Sequence, residues 1–363
     1  MTTPLGPADP VLRRRVGRWL VACAVMLLLL VVIGGVTRLT ESGLSITEWK
    51  PVAGVLPPFG EAAWQEELAK YQRIPEYRAM NRGMDLSAFK RIYLVEYTHR
   101  LSARLVGLVI AIPLLVFLVR GALGRALARR LVMLLVLMGA QGGLGWYMVQ
   151  SGLSERTDVS QYRLAAHLSL ALVLFGLTVW TAADLLIDHR SSIIDHRLRR
   201  WAAAYVGLVF LTGVAGAFVA GLDAGRAYNT FPLMGGRVLP RGYFQLEPWW
   251  RNLFEHVPAV QFNHRVLGIL SALGALGLCW ATRRAEPAVR RWGAAVGVTA
   301  LAQAGLGITT LLLFVPIPLA ALHQAGAVLL LGFSLLLLHA LTPVGTPETS
   351  RAPGSESLRP SLT

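Results

Sequence analysis

Eight stretches of this chain are apolar for about 20 residues each, the length an α-helix needs to cross the hydrocarbon core of a bilayer. They lie at roughly 17–37, 92–119, 131–150, 163–187, 201–222, 258–281, 293–314 and 319–342, with ends that shift by a few residues. In lipid every backbone polar group must be satisfied within the protein, so runs of this length become helices. The fold expected is therefore all-α: a polytopic membrane protein of eight transmembrane helices. Composition agrees, because the chain is 54% hydrophobic and 15% charged, against about 25% charged in soluble domains. A net charge of +15 raises the idea of nucleic-acid binding. The apolar bulk argues against it, and the cations cluster in short segments between apolar runs, where membrane proteins place them.

Arginine placement sets an orientation. Arg13, Arg14, Arg15 and Arg18 precede span 1. Arg120, Arg125, Arg129 and Arg130 join spans 2 and 3. Arg190, Arg197, Arg199 and Arg200 join spans 4 and 5, and Arg283, Arg284, Arg290 and Arg291 join spans 6 and 7. With eight spans these segments share one side, which the positive-inside rule makes cytoplasmic. Both termini then face the cytoplasm, and two long loops, about 38–91 and 223–257, lie outside. Span 1 lacks a small-residue cleavage site and reads as a retained anchor. Cys23 and Cys279 lie inside apolar runs and read as packing residues. Residues 343–363, rich in Pro, Ser, Thr and Gly, read as a disordered cytoplasmic tail.

The chain repeats itself. Glu96-Tyr97-Thr98-His99-Arg100 in span 2 is echoed by Gln261-Phe262-Asn263-His264-Arg265 in span 6. Gln141-Gly142-Gly143-Leu144-Gly145 is echoed by Gln303-Ala304-Gly305-Leu306-Gly307, and Ala165-Ala166-His167 by Ala321-Leu322-His323, at offsets of 165, 162 and 156 residues. Near-constant offsets in matching order indicate a duplicated four-helix unit, residues 1–190 and 191–342. Four helices separate the copies, so the repeat is parallel, about an axis along the membrane normal.

Four of the eight histidines carry the functional argument. His189 and His196 fall in a connection, His256 in an outer loop, and His339 near the inner end of span 8; these read as solvated or interfacial. His99, His167, His264 and His323 lie one to two turns inside the outer ends of the even-numbered spans, two per repeat. Ionisable groups there are costly and usually functional. Zinc asks for three or four close donors. Two histidines on facing helices suit a heme iron ligated above and below its plane, in a bundle core. Ala103, Ala171, Gly268 and Ala327, each four residues after a histidine, leave clearance on the same helix face for a flat macrocycle. Arg100 and Arg265 follow the span 2 and span 6 histidines and are candidate partners for heme propionates, with Arg104 and Arg163 weaker ones; snorkelling is the alternative. Glu96 shares a helix face with His99, whereas the second half has Gln261 at the matching place. A carboxyl group beside a heme moves protons and an amide does not, so this difference points to a reactive N-terminal site and an electron-carrying C-terminal one. The alternative for Glu96 is an ion pair with Arg100.

Several stretches together resemble the heme A synthase family in the form found in alphaproteobacteria and mitochondria: Gly34-Gly35-Val36-Thr37-Arg38-Leu39-Thr40-Glu41-Ser42-Gly43-Leu44-Ser45, Trp49-Lys50-Pro51, Pro75-Glu76-Tyr77 with Asn81, Glu96 through Arg100, Gly221-Leu222-Asp223-Ala224-Gly225, Asn229-Thr230-Phe231-Pro232 and Asn263-His264-Arg265. The resemblance covers all eight spans. It implies an oxidoreductase that converts the C8 methyl of heme O into a formyl group by successive hydroxylations, through a gem-diol that loses water, giving heme A for terminal oxidases. Carried over by position, it makes His264 and His323 the axial ligands of a resident heme b, His99 and His167 the ligands of the substrate heme O, and Glu96 the catalytic carboxylate. Some bacterial relatives carry a cysteine pair in the first outer loop; loop 38–91 here has none. The implied setting is a bacterial inner membrane. Partners beyond heme O and lipid are an electron donor, heme O synthase, terminal oxidase subunits and further copies of the chain, none of which the residues identify.

Two other readings use the same histidines. A membrane cytochrome b would hold two permanent hemes and only pass electrons. A heme carrier or assembly factor would need a release route, for which Pro113 in span 2 offers a kink. Residues 61–77 pattern as short amphipathic helices, a cap over the heme edge or interfacial packing.

Overall fold

The computed structural model describes residues 9–50, 53–154, 156–187 and 195–342. The tail 343–363 and His189 lie outside the described residues. The α-helices, in chain order, are α1 (Pro10–Leu39), α2 (Gly60–Tyr71), α3 (Pro75–Met80), α4 (Leu86–Val119), α5 (Arg125–Ser154), α6 (Gln161–Leu186), α7 (His196–Gly221), α8 (Asn252–Glu255), α9 (Val257–Thr282), α10 (Pro287–Leu312) and α11 (Ile317–Ala340). Eight of them, α1, α4, α5, α6, α7, α9, α10 and α11, are long and apolar enough to cross a membrane. They are spans 1 to 8, and the chain is a multi-pass membrane protein.

Several helices outrun their apolar cores because polar residues cap them beyond the hydrocarbon. Asp85 accepts the Ala88 amide at 2.7 Å and starts α4 before the expected span. Asp9 and Asp195 do the same for α1 and α7, accepting from Val11 and from Arg197 and Leu198. Each such cap satisfies a donor that the first helical turn cannot pair internally. α4 continues through Pro113 without a break in its assignment.

Adjacency repeats between the halves. In the first, α1 packs on α4 and α6, α4 on α5, and α5 on α6; in the second, α7 packs on α9 and α11, α9 on α10, and α10 on α11. Each half is thus a ring of four helices in chain order. The halves meet where α1, α6, α7 and α11 pack together, around buried Leu27, Leu172, Phe175, Val328 and Leu331. The histidine-bearing helices, α4 with α6 and α9 with α11, are not among the packed neighbours of either ring. They stand diagonally across it, leaving a gap where a porphyrin would have to sit.

Helices α2 and α3 are the short helices expected over residues 61–77, and α2 packs on α4. Leu68, Tyr71 and Ile74 pack with Phe89 and Tyr93 of α4, Leu44 and Val159 in a second buried cluster. After α1 and α7 the chain turns through Glu41 and Asp223, non-glycine residues in left-handed conformation at φ 52° and 49°. This shared and unusual turn is a further mark of the repeat.

Candidate functional site

One cavity of about 1430 Å³ is lined by His99, His167, His264 and His323, more room than the 300–1,000 Å³ typical of one small-molecule pocket. Ala103, Ala171, Gly268 and Ala327 also line it, so the small residues stand where clearance was expected. The His264 and His323 rings lie 6.4 Å apart between centroids, at an interplanar angle of 86°. A nitrogen about 2 Å from a metal and about 1.1 Å from its own ring centre, on each side, gives roughly 6 Å between two axial imidazoles.

Each ring rests on a glycine of the preceding spanning helix. A Cβ at Gly34, Gly145, Gly216 or Gly307 would stand 2.9, 3.0, 3.2 or 2.8 Å from Cε1 of His99, His167, His264 or His323 respectively. At Gly34 and Gly307 a Cβ would force the ring or the helix to shift, and at Gly145 and Gly216 it would crowd the ring. The four Nδ1 atoms are buried and none makes a hydrogen bond of ordinary geometry, although the Thr212 and Gln303 carbonyls face His264 and His323. Four rings on glycine seats, facing a shared cavity, fit a heme-type donor set. Gln141 and Gln303 complete the repeat: each donates its side-chain amide to the carbonyl of the histidine on the next span, at 3.0 Å to His167 and 2.8 Å to His323. Gln141 Nε2 also lies 3.3 Å from His167 Nε2. The glycine seats were present in the sequence repeat, where Gly145 matches Gly307, but spacing along one helix does not reveal what a residue touches on another.

Glu96 is 2% exposed and lines the cavity. It accepts four hydrogen bonds: the Ser45 hydroxyl and the Ile46 amide at 2.7 Å each, and Arg100 Nε and Nη2 at 3.0 and 2.7 Å. The ion pair with Arg100 and the place at the cavity wall therefore coexist. Gln261 occupies the equivalent position with inverted polarity, its amide facing the Gly225 and Tyr228 carbonyls at 3.4 and 3.1 Å. Each half fixes its first outer loop through the residue three before the histidine, by accepting in one and donating in the other.

The arginines serve the same loops. Arg100 donates to the Ile46 and Glu48 carbonyls, Arg265 to those of Tyr228 and Thr230, and Arg104 to that of Lys50. All three line the cavity. Arg163 instead lies over the Tyr147 ring at 3.7 Å and bonds the Tyr147 carbonyl. Arg38, which sequence reading left without a role, ties the halves at the cavity mouth by pairing with both Asp158 and Asp223 at 2.9 Å.

His339 corrects the reading of a solvated or interfacial group. It is 0% exposed, with Nε2 3.0 Å from Asp184 Oδ1 and its ring edge-on to Trp180. Asp184 also pairs with Arg130 at 2.6 Å. The network joins α5, α6 and α11, and a nonlocal carboxylate partner explains why position in the chain misled. His196 begins α7 exposed, and His256 caps α9.

Residues 17–335 match the family model for the cytochrome oxidase assembly protein. The heme A synthases of Parvibaculum lavamentivorans and Rhodospirillum centenum are each 50% identical, over 89% and 92% of this chain and 93% and 90% of their own lengths. Heme A synthase COX15 of Homo sapiens is 47% identical over 91% of this chain and 83% of its own. Similarity of this extent, running through every span and both histidine pairs, places the chain in the COX15-CtaA family of cytochrome oxidase assembly proteins.

Proposed function

We propose that this protein is a heme A synthase, an oxidoreductase that converts the C8 methyl of heme O to a formyl group and so supplies heme A for terminal oxidase assembly. The names of its relatives support the activity. The observation that carries the site is the single cavity with four glycine-seated imidazoles in two diagonal pairs. His264 and His323 hold a resident heme b, which supplies one-electron transfer when bound. His99 and His167 hold the substrate heme O by its iron.

This chain's own residues divide the remaining work. Glu96 is the catalytic carboxylate at the methyl group; its Ser45 partner is a hydroxyl that exchanges protons. Arg100 and Arg265 hold the outer loops against the cavity and present their guanidinium edges toward propionates at its outer side. α2 and α3 cover the N-terminal site, which keeps bulk water from the reacting carbon. Glu96 opposite Gln261 makes the two sites unequal. The protein sits in a bacterial inner membrane with both termini cytoplasmic, a reading supported by arginines at the inner ends of α1, α5, α7, α9 and α10. Residues 1–190 form the substrate half and 191–342 the electron-carrying half.

The test is chemical. Purified protein given heme O, dioxygen and a reductant is expected to yield a porphyrin that has gained one oxygen and lost two hydrogens. Heme b alone, unchanged, would instead make the chain an electron-transfer cytochrome.

A further inference from the structure

Among the described residues, a second buried carboxyl group lines the cavity. Glu76, on α3 of the outer cover, is 4% exposed and lines the same cavity as Glu96, His99 and His167. Its surroundings differ from those of Glu96. Glu96 accepts four hydrogen bonds, two of them from Arg100. Glu76 has one donor, the Tyr71 hydroxyl at 3.0 Å. Asn81 donates its amide to that hydroxyl at 2.7 Å, which turns the tyrosine proton toward Glu76. The charges that act most strongly on Glu76 from other elements are acidic: Asp158 between α5 and α6, Glu96 on α4 and Glu41 after α1; Arg100 is paired with Glu96. Asp158 is itself engaged by Arg38.

We propose that Glu76 is a proton-exchanging group of the N-terminal site, taking protons from water at the outer mouth of the cavity and passing them to the oxygen reduced at the substrate methyl. This rests on the heme A synthase reading. In net terms the two hydroxylations are R–CH3 + 2 O2 + 4 e− + 4 H+ → R–CHO + 3 H2O, with dioxygen as the oxidant and the electrons drawn from the reductant. Four protons are therefore taken up at the site. Glu76 gives one as the carboxylic acid, is left as the carboxylate with Tyr71 as its donor, and is reprotonated from water at the cavity mouth. A group with this task must change protonation state near the working pH. Burial, opposed by the Tyr71 hydrogen bond and reinforced by the three neighbouring acids, pushes Glu76 up to about 7.

The experiment uses full-length protein purified with its hemes, as wild type, Glu76→Gln, Glu76→Asp and Tyr71→Phe. It reads heme A formation against pH, heme content, and the infrared carbonyl band of a protonated carboxyl group. Because the carboxylic acid is the working form, wild-type turnover should fall as pH rises through about 7. Glu76→Gln should lose about a hundredfold in turnover, along with that limb and the titrating band, while keeping its hemes. Glu76→Asp should restore part of the rate. Tyr71→Phe removes the hydrogen bond that favours the charged form, so its limb and band should move to higher pH. Wild-type turnover and pH profile in Glu76→Gln would overturn the proposal. If Glu76→Gln loses its hemes, a wild-type band or limb that Tyr71→Phe leaves in place overturns it equally. A wild-type protein that makes no heme A yet shows the band titrating would refute the synthase reading while leaving the carboxyl assignment intact.

Discussion

Replacing Gly307 by alanine should displace one axial histidine by a calculable amount. The added Cβ would stand 2.8 Å from His323 Cε1, where carbon atoms in contact prefer about 3.5 Å or more. The ring or helix α10 must therefore give way by about 0.7 Å. Metal–ligand distances tolerate only about 0.2 Å, so the imidazole cannot retreat that far and keep its bond. Pushing the helix instead costs about 1–3 kcal/mol in strain. The expected result is loss or weakening of one axial ligand in the C-terminal half, read as conversion of a low-spin to a high-spin heme spectrum at unchanged protein yield. The control is two residues away. A Cβ at Gly305, on the same helix, meets nothing within 4 Å, and Gly305→Ala should leave the spectrum alone. Identical low-spin spectra for both variants, with full heme content, would refute the claim that the glycine seats set the ligand positions.

Glu96→Gln leaves one oxygen where the carboxylate has two, so its NH2 must face donors on one side, either Ile46 with Ser45 or Arg100; it should loosen loop 38–50 as well as slow turnover. Ser45→Ala removes one hydrogen bond at about 0.5–1.5 kcal/mol and leaves the carboxylate in place; limited proteolysis of that loop in both variants separates anchoring from chemistry. Glu76 is raised from 4.5 to about 7 on folding. Its stabilising contribution is therefore complete below about 4.5 and is lost as pH rises through about 7, by at most about 3 kcal/mol. Glu76→Gln should accordingly melt higher than wild type in detergent at pH 8 and equal to it at pH 4; an advantage independent of pH would contradict the assignment. Asp184→Asn or His339→Ala breaks a buried pair and should cost about 3–5 kcal/mol, seen as a lower melting temperature with the heme spectrum of the folded protein unchanged.

The spans and the four histidines were legible because both are written locally. A run of about 20 apolar residues is a property of one segment, and a histidine inside such a run stands out without knowledge of its neighbours. The diagonal arrangement of α4 with α6 was legible only through the repeat. What escaped notice was nonlocal: the imidazoles resting on Gly34 and Gly216, the Arg38 bridge across the two halves, and His339 buried against an aspartate 155 positions away. Glu96 was legible as an asymmetry, but its attachment to Ser45 and Ile46 was not, because loop closure over a helix face leaves no periodic trace. The arginines after each histidine stood out as candidate propionate partners, and it took the folded loops to reveal that they bind loop carbonyls.

Heme extraction from single-histidine variants addresses the two-pair arrangement most directly. With the wild type holding a resident heme b and a second, modifiable heme, His264→Ala and His323→Ala should each lose heme b. His99→Ala and His167→Ala should each retain heme b and lose heme O and its oxidised products. Loss of the same heme from all four variants, or from one member of a pair but not the other, would contradict the assignment of one iron to each pair.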